Sequence, residues 1–583
     1  MTGSLRVRWL GTVPYSEALA VQDALFGGRI EQHLLLLEHP HVFTYGPRSD
    51  LDHNLRCRPA DVGAELVAVS RGGDITYHGP GQLVGYPILS VANKLDAAGH
   101  VNNVEQVVID TLAAFGVTAG RLTEYPGVWV DAGGRNPRKI CAIGVRLKGG
   151  RTMHGFALNV APDMAYLRQH IVACGIGDRP VTSLREEGVD VETREVVDVL
   201  ARIAGERWGH GRMERQDVAW RHRPEDLSLF SRGAGPGLLG TAQTRGDVVR
   251  PERQGTPVRL TSRLAAAGVV DGLSISARKP DWLRPKVHHT APVLDLKRTI
   301  RALGLVTVCE DAGCPNLSEC WADGTATFMV LGDRCTRACG FCLVDTRKPE
   351  APAADEPARV AEAIDRMALD HVVLTMVARD DLADGGMAHV AACVEAIRRR
   401  RPQARVETLI SDVHGSADAL ATLFEVRPDV LNHNVETVAR LQRAVRPSAG
   451  YGRSLAVLAR AKAAGLVTKS GLMVGLGETD AEVDGLLADL ATIGVDIVTI
   501  GQYLRPTSHH IPVDRWVEPA RFAEWAALGT SLGIGHVEAS PLTRSSYHAK
   551  SALSLHSPAT QADCGHSLGG ARSLASVPGD HHE

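Results

Sequence analysis

The sequence predicts an α/β protein with two domains, and three observations support this. The chain has 583 residues, more than one domain normally holds. Two long regions alternate apolar strand-like runs with helical patterns, and a stretch rich in Gly, Pro and Arg separates them. We predict a first domain over 1–221, a linker over 222–275, a second domain over 276–550 and a disordered tail over 551–583. A short buried segment within the linker is the alternative.

The first region is typical of a mixed α/β domain. HLLLLEHPHVFTYG (33–46) predicts a buried strand that leads into a loop. NNVEQVVIDTLAAFGV (102–117) has helical periodicity and ends at Gly116. Residues 127–160 predict strand, loop, strand, tight turn and strand.

The second region is typical of repeated βα units. Its strand-like runs lie at 370–377, 405–410, 429–436, 468–477 and 495–504. Ala- and Leu-rich helical patterns such as 481–494 lie between them. Repeated βα units predict a parallel sheet, here a full or partial βα barrel, with an open doubly wound sheet as the alternative. Polar residues crowd the carboxyl ends of the runs, where barrel enzymes place their active sites.

Composition narrows the classes of partner. Lys and Arg total 64, Asp and Glu total 67, and no dense basic run occurs, so we expect no nucleic-acid partner. No apolar stretch is long enough to span a bilayer, and the N-terminus lacks the apolar core of a signal peptide. A cytoplasmic location without a membrane partner is therefore the expectation.

Six of the 11 cysteines lie between residues 309 and 342, a clustering that favours metal or cluster binding over a disulfide scaffold. GDRCTRACGFCLVD (332–345) places Cys335, Cys339 and Cys342 in a C-x₃-C-x₂-C pattern. Three thiolates on one loop can hold three irons of a cubane, which leaves the fourth iron open to a reacting ligand. A zinc site and a disulfide are the alternatives, although zinc usually takes four ligands in paired C-x₂-C units.

This spacing, with an aromatic residue before the last cysteine, resembles the radical S-adenosylmethionine superfamily. The resemblance implies that a [4Fe-4S] cluster on Cys335, Cys339 and Cys342 binds S-adenosylmethionine through its open iron. An electron from the cluster would then release a 5′-deoxyadenosyl radical. A low-potential electron donor of ferredoxin or flavodoxin type is implied as a partner.

A second cysteine set, Cys309, Cys314 and Cys320, lies in TVCEDAGCPNLSECW (307–321). Alone, it could be a zinc site that lacks one ligand. Beside the first set, it resembles the auxiliary-cluster motif of lipoyl synthases. Further segments across nearly all of 276–550 resemble the same family, among them GTATFMVLGD (324–333), TKSGLMVGLGE (468–478) and RSSYHA (544–549).

The lipoyl synthase resemblance implies a second [4Fe-4S] cluster with a serine as fourth ligand. Ser545 and Ser546 are the candidates, and Ser546 is favoured, with a surface hydroxyl as the alternative for either. The cluster would supply two sulfur atoms that replace hydrogens at C6 and C8 of a protein-bound octanoyl chain. Those carbons are unactivated, so a radical route is chemically required.

The densest motif of the first region is RGGDITYHGPGQLVGYP (71–87), whose glycines let the backbone approach a ligand closely. Lys139 lies between apolar residues in PRKICAIGVR, and Cys174 is followed by glycine in VACGIGDRPVTSL. Desolvation lowers the pKa of a lysine, and a Cys–Lys pair could form and break an acyl thioester. A surface lysine and an ordinary loop cysteine are the alternatives, and chemistry alone favours them.

These motifs, together with HGFALNV (154–160), resemble lipoyl/octanoyl transferases across roughly residues 5–220. The fold then resembles the catalytic domain of biotin and lipoate ligases. The resemblance implies that Cys174 takes octanoate from acyl carrier protein as a thioester and that Lys139 handles protons. The acyl group would pass to a lysine of a lipoyl domain. The implied acyl site is lined by Arg71, Gly72, Gly73, Asp74, Ile75, Thr76, Tyr77, His78, Ala142, Ile143, Gly144, Gly155, Phe156 and Ala157.

The two resemblances fit one pathway and imply a bifunctional enzyme of protein lipoylation. It would use octanoyl-acyl carrier protein, two [4Fe-4S] clusters and S-adenosylmethionine. Its acceptors would be the lipoyl domains of 2-oxoacid dehydrogenase complexes and the glycine cleavage H protein. One alternative is that only one half is active while the other is a binding module. Another is a metal-dependent regulator without catalysis.

Overall fold

The computed structural model describes residues 4–28, 31–91, 96–175, 179–220, 258–270, 272–284, 298, 300, 303–307, 316, 320 and 325–547. The predicted tail over 551–583 and the larger part of the predicted linker, 222–257, lie outside these residues. Cys309 and Cys314 lie outside them as well. Within the described part of the chain, no helix is long and apolar enough to cross a membrane.

The N-terminal domain is built on a mixed eight-stranded sheet with the order β11-β1-β2-β6-β10-β9-β8-β7, beside a three-stranded sheet with the order β4-β3-β5. Its strands are β1 Leu5–Thr12, β2 Gln32–Glu38, β3 Val42–Tyr45, β4 Glu65–Ala68, β5 Thr76–His78, β6 Gln82–Ile88, β7 Ala119–Leu122, β8 Tyr125–Val130, β9 Arg138–Lys148, β10 Arg151–Asn159 and β11 Met213–Asp217. Its helices are α1 Tyr15–Gly27, α2 Leu51–Asn54, α3 Ala97–Ala114, α4 Ala165–Arg168 and α5 Thr193–Trp208. The predicted mixed α/β domain is confirmed.

The C-terminal domain is a parallel sheet with helices between successive strands. Its strands are β12 Val306–Thr307, β13 Thr325–Val330, β14 His371–Met376, β15 Arg405–Leu409, β16 Val430–Asn432, β17 Thr468–Val474, β18 Ile497–Gln502 and β19 His536–Ala539. Its helices are α7 Glu356–Arg366, α8 Met387–Arg400, α9 Ala417–Glu425, α10 Gln442–Val445, α11 Tyr451–Ala463, α12 Asp480–Thr492 and α13 Pro519–Ser531, and α6 Val258–Ala266 precedes them.

Strands β13 to β19 lie in chain order and all run parallel, while β12 is antiparallel at one end. A doubly wound sheet reverses its strand order at a switch point, and this sheet has none. The order is that of a βα barrel, and among the described strands it does not close. The predicted barrel is therefore confirmed in its partial form.

The two domains share one hydrophobic core. A single cluster of buried side chains runs from Leu35 and Val84 of the first sheet to Leu455 and Val498 of the barrel. It also includes Leu260 of α6, so the predicted linker ends in a short buried segment, the alternative the sequence left open.

A buried ion pair crosses this contact between the domains. Arg8 of β1 donates through Nε to Oδ2 of Asp489 in α12 at 2.7 Å and through Nη2 to Oδ1 at 2.7 Å. Both side chains are at most 6% exposed. The hydroxyl of Tyr451 donates to Asp489 Oδ2 at 2.6 Å. Helix α1 packs along α11 beside this network, so charge and apolar surface together join the domains.

Candidate functional site

The N-terminal domain contains a partly open cavity of about 280 Å³. Its lining residues are Tyr15, Arg71, Gly72, Gly73, Asp74, Thr76, His78, Tyr86, Val101, Pro126, Lys139, Ala142, Ile143, Gly144, Val145, His154, Gly155, Phe156, Ala157 and Cys174. The fold thus brings residues of the 71–78, 142–144 and 155–157 segments, together with Lys139 and Cys174, to one cavity.

Two residues of the predicted acyl site do not line this cavity. Side chains of β5 alternate between its faces, so Thr76 and His78 face the cavity and Tyr77 faces away. Tyr77 is fully buried, and its hydroxyl forms a hydrogen bond with Nδ1 of His41 at 2.8 Å. Ile75 is fully buried on the same side, in a cluster with Tyr77. Ile75 and Tyr77 therefore lie outside the lining of this cavity, and their place in the acyl site stays a prediction.

Glycines let the cavity walls approach each other. A Cβ atom on Gly155 of β10 would lie 2.1 Å from the carbonyl oxygen of Gly85 in β6. A Cβ atom on Gly144 of β9 would lie 2.8 Å from Cδ of Arg71. Any side chain at these two positions would separate the strands or displace the 71–74 loop.

A chain of hydrogen bonds holds the glycine-rich loop against the sheet. Arg71 Nη2 donates to Oγ1 of Thr44 at 2.9 Å, and the Thr44 hydroxyl lies 3.4 Å from Nε2 of His78. Nδ1 of His78 lies 2.8 Å from Oε1 of Gln82, whose Nε2 donates to Oδ1 of Asn159 at 2.9 Å. Since Oε1 of Gln82 only accepts, the network assigns the proton to Nδ1 of His78. Burial holds the pKa of His78 well below its usual range, so the ring is neutral.

Cys174 lies in a 3₁₀ turn over Ala173–Gly175, with a backbone φ of 58° and a partly exposed thiol. Its amide donates to the carbonyl of Ile75 at 2.8 Å, which fastens the turn to the glycine-rich loop. Lys139 of β9 is 7% exposed, and its Nζ lies 5.4 Å from the ring centroid of Trp129. Lys139 is therefore buried, whereas its chemistry alone favoured a lysine at the protein surface.

Six lining residues were not among the predicted site residues, and they are Tyr15, Tyr86, Val101, Pro126, Val145 and His154. Tyr86 lies within the 71–87 motif and His154 begins the 154–160 motif, so both belong to segments that the sequence analysis had quoted. His154 is buried, which lowers its pKa to about 4, and its Nδ1 has no hydrogen-bond partner among the described atoms. Tyr15 carried no local signal, because only the packing of α1 brings it to the cavity.

The second site lies at the carboxyl edge of the barrel, in the loop that follows β13. Cys335, Cys339 and Cys342 are partly exposed free thiols on this loop. Burial raises the pKa of Cys339 to about 12, although nearby Arg446 lowers it, and Cys342, Glu436 and Cys335 contribute to the rise. All three thiols of the C-x₃-C-x₂-C pattern thus lie on one loop.

Backbone and charge contacts fix this cysteine loop. The amide of Cys335 donates to the carbonyl of Asp345 at 2.8 Å, and the amide of Arg337 approaches Sγ of Cys335 at 3.4 Å. The Arg337 guanidinium donates to both carboxylate oxygens of Asp380 at 2.8 Å. Its Nη2 also lies 2.7 Å from Oδ1 of Asp412.

The donor set suits an iron–sulfur cluster. Thiolates are soft ligands that favour such clusters, and an amide donor to a cluster sulfur is a common way to tune one. Among the described residues, no three His, Cys, Asp or Glu side chains surround one point closely enough for a single ion. Thiolates that each bind a different iron at the corners of a cluster need not surround one point.

Part of the second cysteine set is visible. Cys320 is partly buried, and its amide donates to the carbonyl of Asn316 at 3.0 Å. Nδ2 of Asn316 donates to the carbonyl of Leu542 at 2.7 Å, so Cys320 lies near the segment that carries Ser545 and Ser546. Cys309 and Cys314, the other two predicted ligands, lie outside the described residues.

Polar residues of the barrel divide into a rim group and an interior pair. At the rim, Nδ2 of Asn434 donates to Oγ of Ser545 at 2.8 Å and to Oε1 of Glu436 at 3.1 Å. In the interior, Nζ of Lys469 lies 3.1 Å from Oε2 of Glu407, and both side chains are 1% exposed. Lys469 therefore forms a structural ion pair inside the barrel.

Comparison with known proteins matches each half separately. The family model of the lipoyl protein ligase A/B catalytic domain matches residues 14–204, and that of the radical SAM superfamily matches residues 329–490. A bi-partite lipoate protein ligase structure from Thermoplasma acidophilum has 20% sequence identity and a TM-score of 0.32, and the match covers 40% of this chain and 93% of that one.

The curated relatives match the barrel half. The lipoyl synthase of Rubrobacter xylanophilus is 52% identical over 273 residues, 46% of this chain and 85% of that protein. The lipoyl synthase of Nitratidesulfovibrio vulgaris is 52% identical over 282 residues, 48% of this chain and 95% of that protein. Through its barrel half the chain belongs to the lipoyl synthase family of radical S-adenosylmethionine, iron–sulfur enzymes, and its N-terminal half carries a lipoyl protein ligase A/B catalytic domain.

Proposed function

We propose that this chain carries out two successive steps of protein lipoylation. The N-terminal domain transfers octanoate from octanoyl-acyl carrier protein to a lysine of a lipoyl domain. The barrel then inserts sulfur at C6 and C8 of that octanoyl group. One observation carries this proposal: a lipoyl ligase A/B catalytic domain shares a hydrophobic core with a lipoyl synthase barrel. In that domain, Cys174 and Lys139 line the same cavity.

In the transfer step, the sulfur of Cys174 attacks the thioester carbonyl of the acyl carrier protein. Lys139 takes the proton of the thiol and returns it to the departing carrier thiol. The amine of the acceptor lysine then attacks the new thioester, the carbon–sulfur bond breaks, and the proton lost by the amine passes to the departing Cys174 sulfur, which restores the thiol. The apolar side chains of Ile143 and Phe156 in the cavity wall suit the octanoyl chain.

The glycine-rich loop positions the acyl group in this scheme. Arg71 is already engaged by the carbonyl of Thr44 at 2.7 Å and by that of Asp74 at 2.9 Å. Its role is therefore to shape the loop rather than to bind a carboxylate directly. Neutral His78 and Thr76 supply the polar edge of the cavity.

In the sulfur-insertion step, Cys335, Cys339 and Cys342 hold one four-iron cluster. Cys309, Cys314, Cys320 and Ser546 hold the other. When bound, the two clusters and S-adenosylmethionine supply a carbon-radical generator and a source of sulfur. Ser546 is the preferred fourth ligand because the Ser545 hydroxyl is already engaged by Asn434. A ferredoxin- or flavodoxin-type protein supplies the electrons.

The transfer step is tested by intact-mass spectrometry of an apo lipoyl domain incubated with octanoyl-acyl carrier protein and the full-length chain. We expect the octanoyl mass shift without added ATP, and its loss in Cys174→Ser. Cys57→Ser is the matched control, because Cys57 is a free thiol of the same domain outside the cavity. Undiminished transfer by Cys174→Ser would refute the nucleophile assignment, and a strict need for ATP would instead indicate a ligase that uses free acid.

The insertion step is tested by anaerobic reconstitution, followed by iron analysis and product mass. We expect about eight irons per chain, and loss of about half of them in Cys335→Ala. Cys393→Ala is the control, because Cys393 is fully buried in α8 of the barrel core. Octanoyl transfer without any lipoyl product in the reconstituted wild-type chain would support the alternative in which only the first half is active.

A further inference from the structure

Helix α1 of the N-terminal domain reaches the edge of the barrel through Glu17. This glutamate is 2% exposed, and its Oε1 accepts a hydrogen bond from Nε of Arg453 in α11 at 2.9 Å. The same carboxylate lies against the backbone of Gly415, since a Cβ atom there would be 2.2 Å from Oε1 of Glu17. A buried charge of one domain therefore touches a loop at the carboxyl edge of the other.

The loop that Glu17 touches has strained backbone. Val413, His414 and Gly415 form a 3₁₀ turn after β15, with φ values of 39°, 53° and 74°. Positive φ is unfavourable for non-glycine residues, and such conformations persist where the surroundings enforce them. Arg460 of α11 also binds this turn, through Nη1 to the carbonyl of Gly415 at 2.6 Å. The turn is therefore held from the side that faces the N-terminal domain.

The strained turn leads directly to the cysteine loop. Asp412, at the start of the turn, is fully buried, and its Oδ1 accepts from the amide of His414 at 3.1 Å. The same oxygen lies 2.7 Å from Nη2 of Arg337, which is placed between Cys335 and Cys339 in the chain. The amide of Arg337 in turn approaches Sγ of Cys335 at 3.4 Å. Direct contacts thus run from Glu17 of one domain to a cysteine of the other.

We propose that Glu17 is a positioning residue for the radical site, by which the N-terminal domain sets the geometry of the cysteine loop. Glu17 holds the 413–415 turn, the turn holds Asp412 in place, and Asp412 with Asp380 fixes Arg337. The proposal rests on the proposed function only in taking Cys335, Cys339 and Cys342 as cluster ligands. The barrel of this chain is then complete only when the N-terminal domain is docked on it.

The test is hydrogen–deuterium exchange of the cluster-free full-length chain. In Glu17→Gln we expect amides of segment 405–420 and of segment 331–346 to exchange about tenfold faster, because a charge-assisted contact is lost. Glu214→Gln is the matched control. Glu214 is also a carboxylate of the N-terminal domain, 2.7 Å from Nη2 of interface Arg8, yet it lies away from the turn. It should leave both segments as in the wild type.

Gly415→Ala perturbs the same contact from the barrel side, through its positive φ and its clash with Glu17. It should also speed exchange in 331–346, and it serves as the decisive variant if Glu17→Gln does not fold. After reconstitution, we expect Glu17→Gln to change the electron paramagnetic resonance signal of the reduced chain with S-adenosylmethionine, and Glu17→Asp to restore it. Unchanged exchange in 331–346, or an equal change in Glu214→Gln, would overturn the proposal. Failure of the wild type to bind iron would count against the proposed function instead.

Discussion

Replacing Asp489 by asparagine is expected to loosen the contact between the two domains. Asp489 accepts hydrogen bonds from Nε and Nη2 of Arg8 and from the Tyr451 hydroxyl, all between 2.6 and 3.0 Å. Asparagine keeps one acceptor oxygen and loses the charge, so among the described residues buried Arg8 retains only Glu214 as a charged partner. Burial alone would raise the pKa of Asp489, but Arg8 holds it below its usual range, which shows that the carboxylate form is the one bound.

The expected magnitude follows from the burial of the pair. Removal of one member of a buried ion pair typically destabilises a protein by about 3–5 kcal/mol. Glu214 is 36% exposed and compensates only weakly, so we expect a loss of about 3 kcal/mol in the free energy of opening the domain contact. Because about 1.4 kcal/mol corresponds to a factor of ten, amide exchange in α1 and α11 should accelerate by about two orders of magnitude.

The assay is hydrogen–deuterium exchange of peptides within 15–27 and 451–463 in the full-length chain. The double variant Arg8→Met with Asp489→Leu is the informative comparison, since it leaves no unpaired charge. We expect it to exchange much more slowly than Asp489→Asn, as buried pairs replaced by apolar residues are often neutral. Exchange in Asp489→Asn within threefold of the wild type, or a double variant that opens as readily, would refute the reasoning.

Three further predictions concern single positions. Burial alone would raise the pKa of Glu407, but Lys469 and His371 lower it to about 2. The ionised Glu407 therefore stabilises the fold above pH 4.5, its ordinary pKa, and this stabilisation is lost as the pH falls from 4.5 towards 2. Thermal midpoints of the wild type should therefore fall more steeply over that pH range than those of Glu407→Gln. Gly155→Ala should destabilise the N-terminal domain by about 1–3 kcal/mol and abolish octanoyl transfer, because its Cβ would lie 2.1 Å from the Gly85 carbonyl; wild-type thermal stability and transfer would contradict this. Thr479→Ala removes the capping box with Glu482 at the start of α12 and should lower stability by about 1 kcal/mol in urea unfolding, whereas the neighbouring substitution Asp480→Ala leaves the box intact.

Much of the fold follows from local pattern. The run at 468–477 and the helical pattern at 481–494 correspond to β17 and α12, because a fully buried parallel strand and an amphipathic helix have distinct periodicities. β16 is shorter than its run at 429–436, since the chain turns into the rim after Asn432. The sequence pattern predicted no separate strand at β13, which lies between the two cysteine motifs. It also predicted none at β19, which is only half-buried and has no clear apolar run.

The candidate sites could be predicted less well than the fold from local sequence pattern. The catalytic roles of Cys174 and Lys139 were predicted only through resemblance, because a lone cysteine and lysine in a chain have ordinary explanations. That both line one cavity depends on the pairing of β9 with the segment after Cys174, where the Lys139 amide donates to the carbonyl of Pro180 at 2.9 Å. The buried ion pair of Arg8 could not be predicted from the sequence. An arginine in a strand predicts a solvent-facing side chain, and the partner Asp489 lies 481 residues away in the chain.

The shared core bears on how an acyl group travels between the two proposed sites. Two domains joined only by a flexible linker can each reorient towards a bound carrier. Here Arg8, Asp489 and the apolar surface between α1 and α11 hold the domains in one orientation. If the proposed function holds, the lipoyl domain itself would have to move, leaving the cavity at Cys174 and turning its octanoyl-lysine towards the cysteine loop of the barrel. In the proposed reaction, transfer between the two sites would then be limited by diffusion of the lipoyl domain over a fixed surface.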